Sequence, residues 1–504
     1  MQKNKITIRL SDDKTNRINN GFGSKGLLLL LGEVTAMGLV GVYSSTHFSV
    51  ADSVSIVVAF AIAYLVPRFI YSNGKTSCRW GQWMLLMVAT AIAFYTVYSL
   101  IAATPAAGDT LEAPNLTADS GLYYCWALAH YDGRIPSPDI TYSGLSIIML
   151  GLWKVLGVSA VWPMAVNLMC VLLTIVMTGK IASRLLSHRF ANANPPAIAA
   201  MAMLMVALLG FFISQGMRIQ KESYCSLGFA LAGYALAGMD STNVGAREKR
   251  RDMALFLVGT LIVAFIRTNF VYFIVVGAIM MALANRCALW KRGALMAVVA
   301  LAMTFLFNGL FGYTIEHQSA IVEGGKAVAR DFAVGIGQQP YQHIIGEYYL
   351  LPKWERVMLL PITMGVQYII PFPWLYSYDN ASILSLLPRM RLMWYFVGGM
   401  CLFYYLYMAV THFKTFNLGM WAWWPLVVFM LMSFLTGGLV SRYVLPVQPL
   451  FVVVATYVIF LVKEGHFRRP FTILMVIYAL VLVATLVFCY HAQVEYLKTQ
   501  NILT

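Results

Sequence analysis

The sequence is poor in charged residues. Asp, Glu, Lys and Arg make up only 11% of the 504 residues, whereas hydrophobic residues make up 60% and the mean hydropathy is +0.71. Because soluble domains carry about 25% charged residues, this composition excludes an ordinary soluble domain and also a disordered chain. Apolar runs close to the roughly 20 residues that cross a bilayer as a helix recur along the chain. We therefore predict an all-α, polytopic transmembrane helical bundle.

Cysteines are few and have no pairing pattern. The seven cysteines lie mostly inside apolar segments and lack metal-type spacing: Cys78, Cys125, Cys170, Cys225, Cys287, Cys401 and Cys489. They indicate neither a disulfide framework nor a zinc site. The chain also lacks a Gly-rich nucleotide-binding loop, and His317, His343 and Glu347 fit no compact ligand set. We predict no metal and no cofactor.

Basic residues exceed acidic ones and indicate the topology. The net charge of +15 could suggest nucleic acid, but Lys and Arg collect beside the apolar runs, as they do on the cytoplasmic side of spanning helices. The basic N-terminal tail has no cleavable signal pattern, so we predict that it lies inside. The loop after the third span carries five acids and is predicted to lie outside: Asp109, Glu112, Asp119, Asp132 and Asp139.

These loop charges predict about 13 spans arranged in six regions. Gly144 to Leu156 is interpreted as interfacial, because a crossing there would place Lys180 and Arg184 outside. A short pair of spans, Met253 to Phe265 and Phe270 to Ala284, is predicted to reverse outside at Arg267. The regions are a cytoplasmic tail (1–25), three spans (26–103), an external loop with interfacial helices (104–160), a transmembrane core (161–313), a second external region with interfacial segments (314–390) and C-terminal spans (391–504).

The same topology gathers ionisable residues on the external face: Asp119, Arg218, Lys221, Glu222, Arg267 and Arg442. Ionisable groups at membrane depth are costly, so several cations along one rim predict a bound anion, and a phosphate is the natural candidate. Other interpretations stay open. Each cation taken alone is compatible with snorkelling to lipid headgroups or with a structural ion pair, and Asp119 is also suited to capping a helix.

Four segments, in this order, carry a resemblance to a known family: Asp119-Ser120-Gly121-Leu122-Tyr123-Tyr124, Gly133-Arg134-Ile135-Pro136-Ser137-Pro138-Asp139, Arg267-Thr268 and Arg442-Tyr443-Val444-Leu445-Pro446. The chain resembles the GT-C superfamily of integral-membrane glycosyltransferases, which take sugar from a polyprenyl-phosphate carrier. Its pattern is most similar to the protein mannosyltransferase and aminoarabinose transferase branches. The resemblance covers roughly Trp83 to Val462, and the first two spans are additional to it.

The resemblance implies a role for each candidate residue. Asp119 would be the catalytic base that takes a proton from an acceptor hydroxyl, giving inversion in one displacement. Carrier-phosphate binding would fall to Arg218, Lys221, Arg267 and Arg442, and sugar or acceptor binding to Tyr123, Tyr124, Asp139 and Glu222. The implied partners are a polyprenyl-phosphate-linked sugar, a glycan, lipid or protein acceptor, and membrane lipids, without nucleic acid. The implied location is a bacterial inner membrane, with the N-terminus cytoplasmic and the active site extracytoplasmic.

Two alternative functions remain open. An O-antigen or exopolysaccharide polymerase or ligase would carry its catalytic groups mainly in the later external region, where Arg330, His343 and Arg356 occur. A lipid-linked glycan transporter is favoured less, because it would be expected to show paired broken helices in two corresponding halves. The sequence has no convincing internal repeat.

Overall fold

The computed structural model describes residues 24–104, 110–112, 114, 116, 118–134, 140–190, 194–240, 245–284, 294–298, 301–302, 348, 351–369, 391–411, 418–436, 441–465 and 468–499. Within these ranges, regular secondary structure is helical throughout, which confirms the predicted helical class. Several residues of the sequence analysis lie outside the described residues: Asp109, Ile135, Pro136, Ser137, Pro138, Asp139, Cys287, His317, Arg330, His343 and Glu347.

The helices of the described ranges are numbered here in chain order. They are α1 (Ser24–Ser45), α2 (Val50–Ser72), α3 (Arg79–Ala103), α4 (Ala118–Tyr131), α5 (Ile140–Leu156), α6 (Val161–Leu186), α7 (Pro195–Ala207), α8 (Gly210–Ile213), α9 (Lys221–Ala237), α10 (Ala246–Arg267), α11 (Val271–Ala284), α12 (Lys353–Met358), α13 (Leu360–Ile369), α14 (Leu392–Thr411), α15 (Gly419–Thr436), α16 (Gln448–Lys463) and α17 (Arg468–Thr499).

Seven helical stretches of the described chain are long and apolar enough to cross a membrane: Gly26–Ser45, Val50–Ser72, Arg79–Ala103, Val161–Leu186, Ala246–Leu283, Leu392–Val410 and Arg468–His491. Together they fit an integral membrane protein. α7 and the segment Gly210–Met217 form an eighth candidate, bent by 76° at the break between them. Gly144–Leu156, predicted as interfacial, is one of the shorter apolar helices.

The region around Arg267 differs in part from the prediction of two short spans. α10 and α11 are joined through a 3-10 turn at Thr268–Phe270, and together they form one apolar helical stretch of 38 residues. Because about 20 residues suffice to cross a bilayer, this stretch is too long for one straight crossing. The backbone does leave the helical conformation at Arg267, where φ is −151° and ψ is 84°. The predicted break is therefore present, while a reversal of direction there stays a prediction.

α6, α9 and α10 form the centre of the described bundle. Gly228 and Gly259 allow α9 and α10 to approach closely, since a Cβ atom added at Gly228 would lie 2.7 Å from the carbonyl oxygen of Gly259. Near the start of α6, Asn167 donates a hydrogen bond to the carbonyl of Arg218, which precedes α9. The two helices therefore run parallel, and α10 returns antiparallel to them.

A buried ion pair closes one end of this three-helix centre. Arg184 of α6 donates to both carboxylate oxygens of Asp252 on α10, at 2.9 and 2.8 Å, and also to the carbonyl of Tyr234 on α9 at 3.1 Å. The Asp252 side chain is completely buried. We call this the Asp252 end of the bundle. The opposite end, where α9 begins and α10 finishes, is the Glu222 end.

Candidate anion-binding site

The bend after α7 places two ionisable residues at the start of α9. The chain turns at Leu208 and Leu209, passes through a 3-10 turn at Ser214–Met217 and becomes extended at Arg218, where φ is −132° and ψ is 158°. Lys221 and Glu222 then open α9, and only 5% and 3% of their surfaces are exposed. An acid in the first turn is favoured by the helix dipole, whereas a buried lysine there needs other support.

Glu222 brings two arginines together. Arg267, the last residue of α10, donates from Nη2 to Glu222 Oε1 at 3.2 Å. Arg442, in the 3-10 turn Ser441–Val444, places Nε 4.0 Å from the same oxygen. The exposed fraction of the side chains increases from 3% for Glu222 to 16% for Arg267 and 36% for Arg442. The acid therefore lies beneath both guanidinium groups.

Aromatic rings hold the guanidinium of Arg267. Its central carbon lies 4.5 Å from the ring centre of Tyr443 and 5.0 Å from that of Phe270. The two rings contact each other nearly edge to face, with centres 5.8 Å apart. Cation–π contacts of this kind orient a guanidinium while leaving the N–H groups at its edge available for anions.

Helix α4 contacts the cluster through Tyr123. Lys221 Nζ lies 4.7 Å from the ring centre of Tyr123. Burial and the charge of Glu222 raise the pKa of Tyr123 to about 12, so this phenol remains neutral at ordinary pH. Burial, followed by repulsion from Arg267, lowers the pKa of Lys221 to about 8. Lys221 is therefore a cation at neutral pH and loses its charge in mild alkali.

Asp119 lies in the first turn of the same helix, four residues before Tyr123. Four helical residues span about 6 Å along the axis, so its backbone is one turn away from the residue that contacts Lys221. Helix α5, which follows α4, contacts α10 at the same end of the bundle. Its Gly144 packs directly against the backbone carbonyl of Phe265 near the end of α10. The side chain of Asp119 is outside the described residues.

The other predicted residues divide into two groups. Arg218 is exposed at the turn before α9, and no ion pair between it and Glu222 occurs within the described part of the chain. Tyr124 is used in packing: its hydroxyl donates to the carbonyl of Glu112 at 2.7 Å, and its ring contacts Trp153. The structure thus brings together Tyr123, Lys221, Glu222, Arg267 and Arg442, while Arg218 and Tyr124 make other contacts.

Sequence reasoning missed three residues of this end. Tyr443 and Phe270 were passed over because an aromatic residue beside an apolar run is common and gives no signal of its own. Arg391, immediately before α14, is 2% exposed, and its guanidinium lies 4.9 Å from the ring centre of Phe211. The available signal was the pair of arginines, Arg389 and Arg391, directly before an apolar run.

Of the region predicted to be the second external one, 314–390, the structure describes residues 348 and 351–369. Arg356 donates to the carbonyl of Leu351 at 3.0 Å and lies over the ring of Tyr348, at 5.6 Å. These contacts are local to its own segment. As for metals, the described ranges hold no group of three or more His, Cys, Asp or Glu residues that could bind one.

Comparison of the chain with models of protein families, with curated proteins and with solved structures finds no match. The resemblance to the GT-C superfamily therefore stays a prediction from the sequence motifs. The structure adds a chemical observation. Three cations, one carboxylate and a neutral phenol lie together at the Glu222 end of the bundle: Lys221, Arg267, Arg442, Glu222 and Tyr123. Such a group has an excess of two positive charges at neutral pH and is suited to hold an anion.

Proposed function

We propose that the protein is a GT-C-type membrane glycosyltransferase with about 13 spans. It moves a sugar from a polyprenyl-phosphate carrier to an acceptor hydroxyl on the extracytoplasmic face. The observation that carries this proposal is the meeting of Lys221, Arg267 and Arg442 around Glu222, beside the helix that bears Asp119. The motif resemblance supplies the reaction, and the cluster supplies a place for the phosphate.

The proposed reaction is a single displacement with inversion. The acceptor oxygen forms a bond to the anomeric carbon, and Asp119 takes the proton from that oxygen. The bond between the anomeric carbon and the phosphate oxygen breaks, and the phosphate leaves with the electron pair. Because the leaving phosphate gains negative charge, cations fixed beside it stabilise the transition state more than the bound donor. Arg267, Arg442 and Lys221 have this role.

Charge at the opposite end supports the proposed orientation. Four cations lie at the start of α10, beside the buried Asp252: Arg247, Lys249, Arg250 and Arg251. Basic residues next to spanning helices favour the cytoplasmic side. The Asp252 end is therefore proposed to be cytoplasmic, and the Glu222 end extracytoplasmic. A bacterial inner membrane is the proposed location, with membrane lipids around the bundle.

The test is the variant Asp119→Asn, which removes the base and keeps the size of the side chain. Loss of a general base costs about 10²- to 10⁴-fold in rate, so transfer should fall by at least about 100-fold. The assay uses purified full-length protein, a panel of polyprenyl-phosphate-linked hexoses and pentoses, and isolated membranes as the source of acceptor. Binding of the sugar-free carrier phosphate should be unchanged.

Asp132→Asn is the matched control. Asp132 lies just beyond the end of α4, is exposed and pairs with Arg134 at 2.7 Å. The two substitutions each remove one carboxylate, at opposite ends of α4, so only a specific role separates them. Transfer at the wild-type rate by a correctly inserted Asp119→Asn protein would remove Asp119 from the mechanism.

A further inference from the structure

Glu222 is the deepest member of the cluster. Its side chain is 3% exposed, whereas the two arginines that face it are 16% and 36% exposed. A single carboxylate oxygen serves both, at 3.2 Å from Arg267 Nη2 and 4.0 Å from Arg442 Nε. The carboxylate is therefore less exposed than either guanidinium, and a ligand that approaches from the exposed side meets the guanidinium groups first.

We propose that Glu222 is a positioning residue that holds Arg267 and Arg442 as a pair, so that one phosphate can bind both. This inference rests on the proposed function. It replaces the sugar or acceptor contact expected for Glu222 from the motif resemblance. Arg267 has five N–H donors and its bond to Glu222 uses one of them, so donors remain there for a phosphate, and Arg442 adds a second guanidinium beside the same carboxylate.

The surroundings of Arg267 explain why a positioning residue is needed. Tyr443 and Phe270 contact the guanidinium through their rings, which restrains its plane but does not fix its rotation within that plane. An ionic hydrogen bond to Glu222 supplies that restraint. Arg442 approaches the same oxygen from a different segment, so the carboxylate also fixes the spacing between the two cations.

The substitution Glu222→Gln should change phosphate affinity in opposite directions, depending on whether Glu222 positions the arginines or acts only through its negative charge. Removing a negative charge beside an anion site raises the local positive potential, which by itself tightens phosphate binding. If Glu222 positions the arginines, the neutral amide holds them less well, and phosphate binding weakens. The direction of the change therefore separates the two explanations without reference to the sugar.

The experiment measures the affinity of the purified full-length protein, in non-ionic detergent micelles, for dodecyl phosphate, a sugar-free phosphate monoester. Glu222→Gln should weaken binding by at least about tenfold, the effect of losing one hydrogen bond to a charged group. Glu222→Asp keeps the charge and should restore part of the affinity. Glu112→Gln is the control, because Glu112 is an exposed acid whose backbone carbonyl accepts a hydrogen bond from Tyr124 of α4.

A second measurement distinguishes positioning from a general loss of structure. Arg267→Gln and Arg442→Gln should have strongly coupled effects on dodecyl phosphate affinity in the wild-type background, and additive effects when Glu222→Gln is present. Equal or tighter binding by Glu222→Gln would overturn the inference. So would a loss confined to sugar-linked donors, which would return Glu222 to a sugar contact. If the wild-type protein does not bind dodecyl phosphate, the proposed function itself fails.

Discussion

The pH dependence of phosphate binding should follow the charge of Lys221. Its ammonium is buried over the ring of Tyr123 and beside Arg267, and this environment lowers its pKa from the ordinary 10.5 to about 8. With that pKa, the protonated fraction falls from about 0.9 at pH 7 to about 0.1 at pH 9. A phosphate that uses Lys221 as a cation therefore binds best near neutral pH and less well in alkali.

The size of the effect follows from linkage. Above the pKa of the free protein, binding must take up a proton, so affinity falls by about tenfold for each further pH unit. Between pH 7 and pH 9 the loss is about tenfold, or about 1.4 kcal/mol. The phosphate monoester has its own second pKa near 6 and stays a dianion over this range. Tyr123, with a pKa of about 12, also keeps one charge state.

The assay is dodecyl phosphate affinity between pH 7 and 9 for the wild type, Lys221→Arg and Lys221→Met. Arginine stays charged throughout, so Lys221→Arg should give a flat profile. Lys221→Met should bind more weakly at pH 7 and also show a flat profile. A flat wild-type profile, or a parallel decline in Lys221→Arg, would place the titrating group elsewhere and refute this account of Lys221.

Two predictions concern the packing that positions the site. Asp252→Asn should lower the free energy of unfolding in detergent by about 3–5 kcal/mol, because Arg184 would be left buried without its anionic partner; a loss near zero would show that the pair is dispensable. Gly144→Ala should lower the thermal unfolding temperature and the transfer rate, because its Cβ would overlap the carbonyl oxygen of Phe265 and push α5 from α10. Gly151→Ala, on the same helix with open space around it, should be neutral or stabilising by up to about 1 kcal/mol. Equal behaviour of the two alanine variants would contradict close packing of α5 on α10.

Hydropathy along the chain was enough to predict the helical class and much of the helix order. A backbone in lipid must satisfy its hydrogen bonds internally, and a helix does so within one segment, so hydropathy along the chain is enough to locate it. The predicted segment Gly144 to Leu156 lies within α5, Ile140–Leu156, and the predicted segment Met253 to Phe265 lies within α10, Ala246–Arg267. Loop charges also placed Lys221, Glu222, Arg267 and Arg442 on one face, and the structure brings these four residues together.

Which side chains contact each other could be seen only in the folded bundle. Glu222 and Arg267 are 45 residues apart in the chain, and Arg442 comes from another segment, so no local pattern could show that both face one carboxylate oxygen. The same holds for the rings of Tyr443 and Phe270 around Arg267. Hydropathy and charge act along the chain and set the depth of each residue in the membrane. Which side chains become neighbours depends on how the helices pack side by side. Small residues such as Gly144 and Gly228 set that packing, because they let two helices come close together.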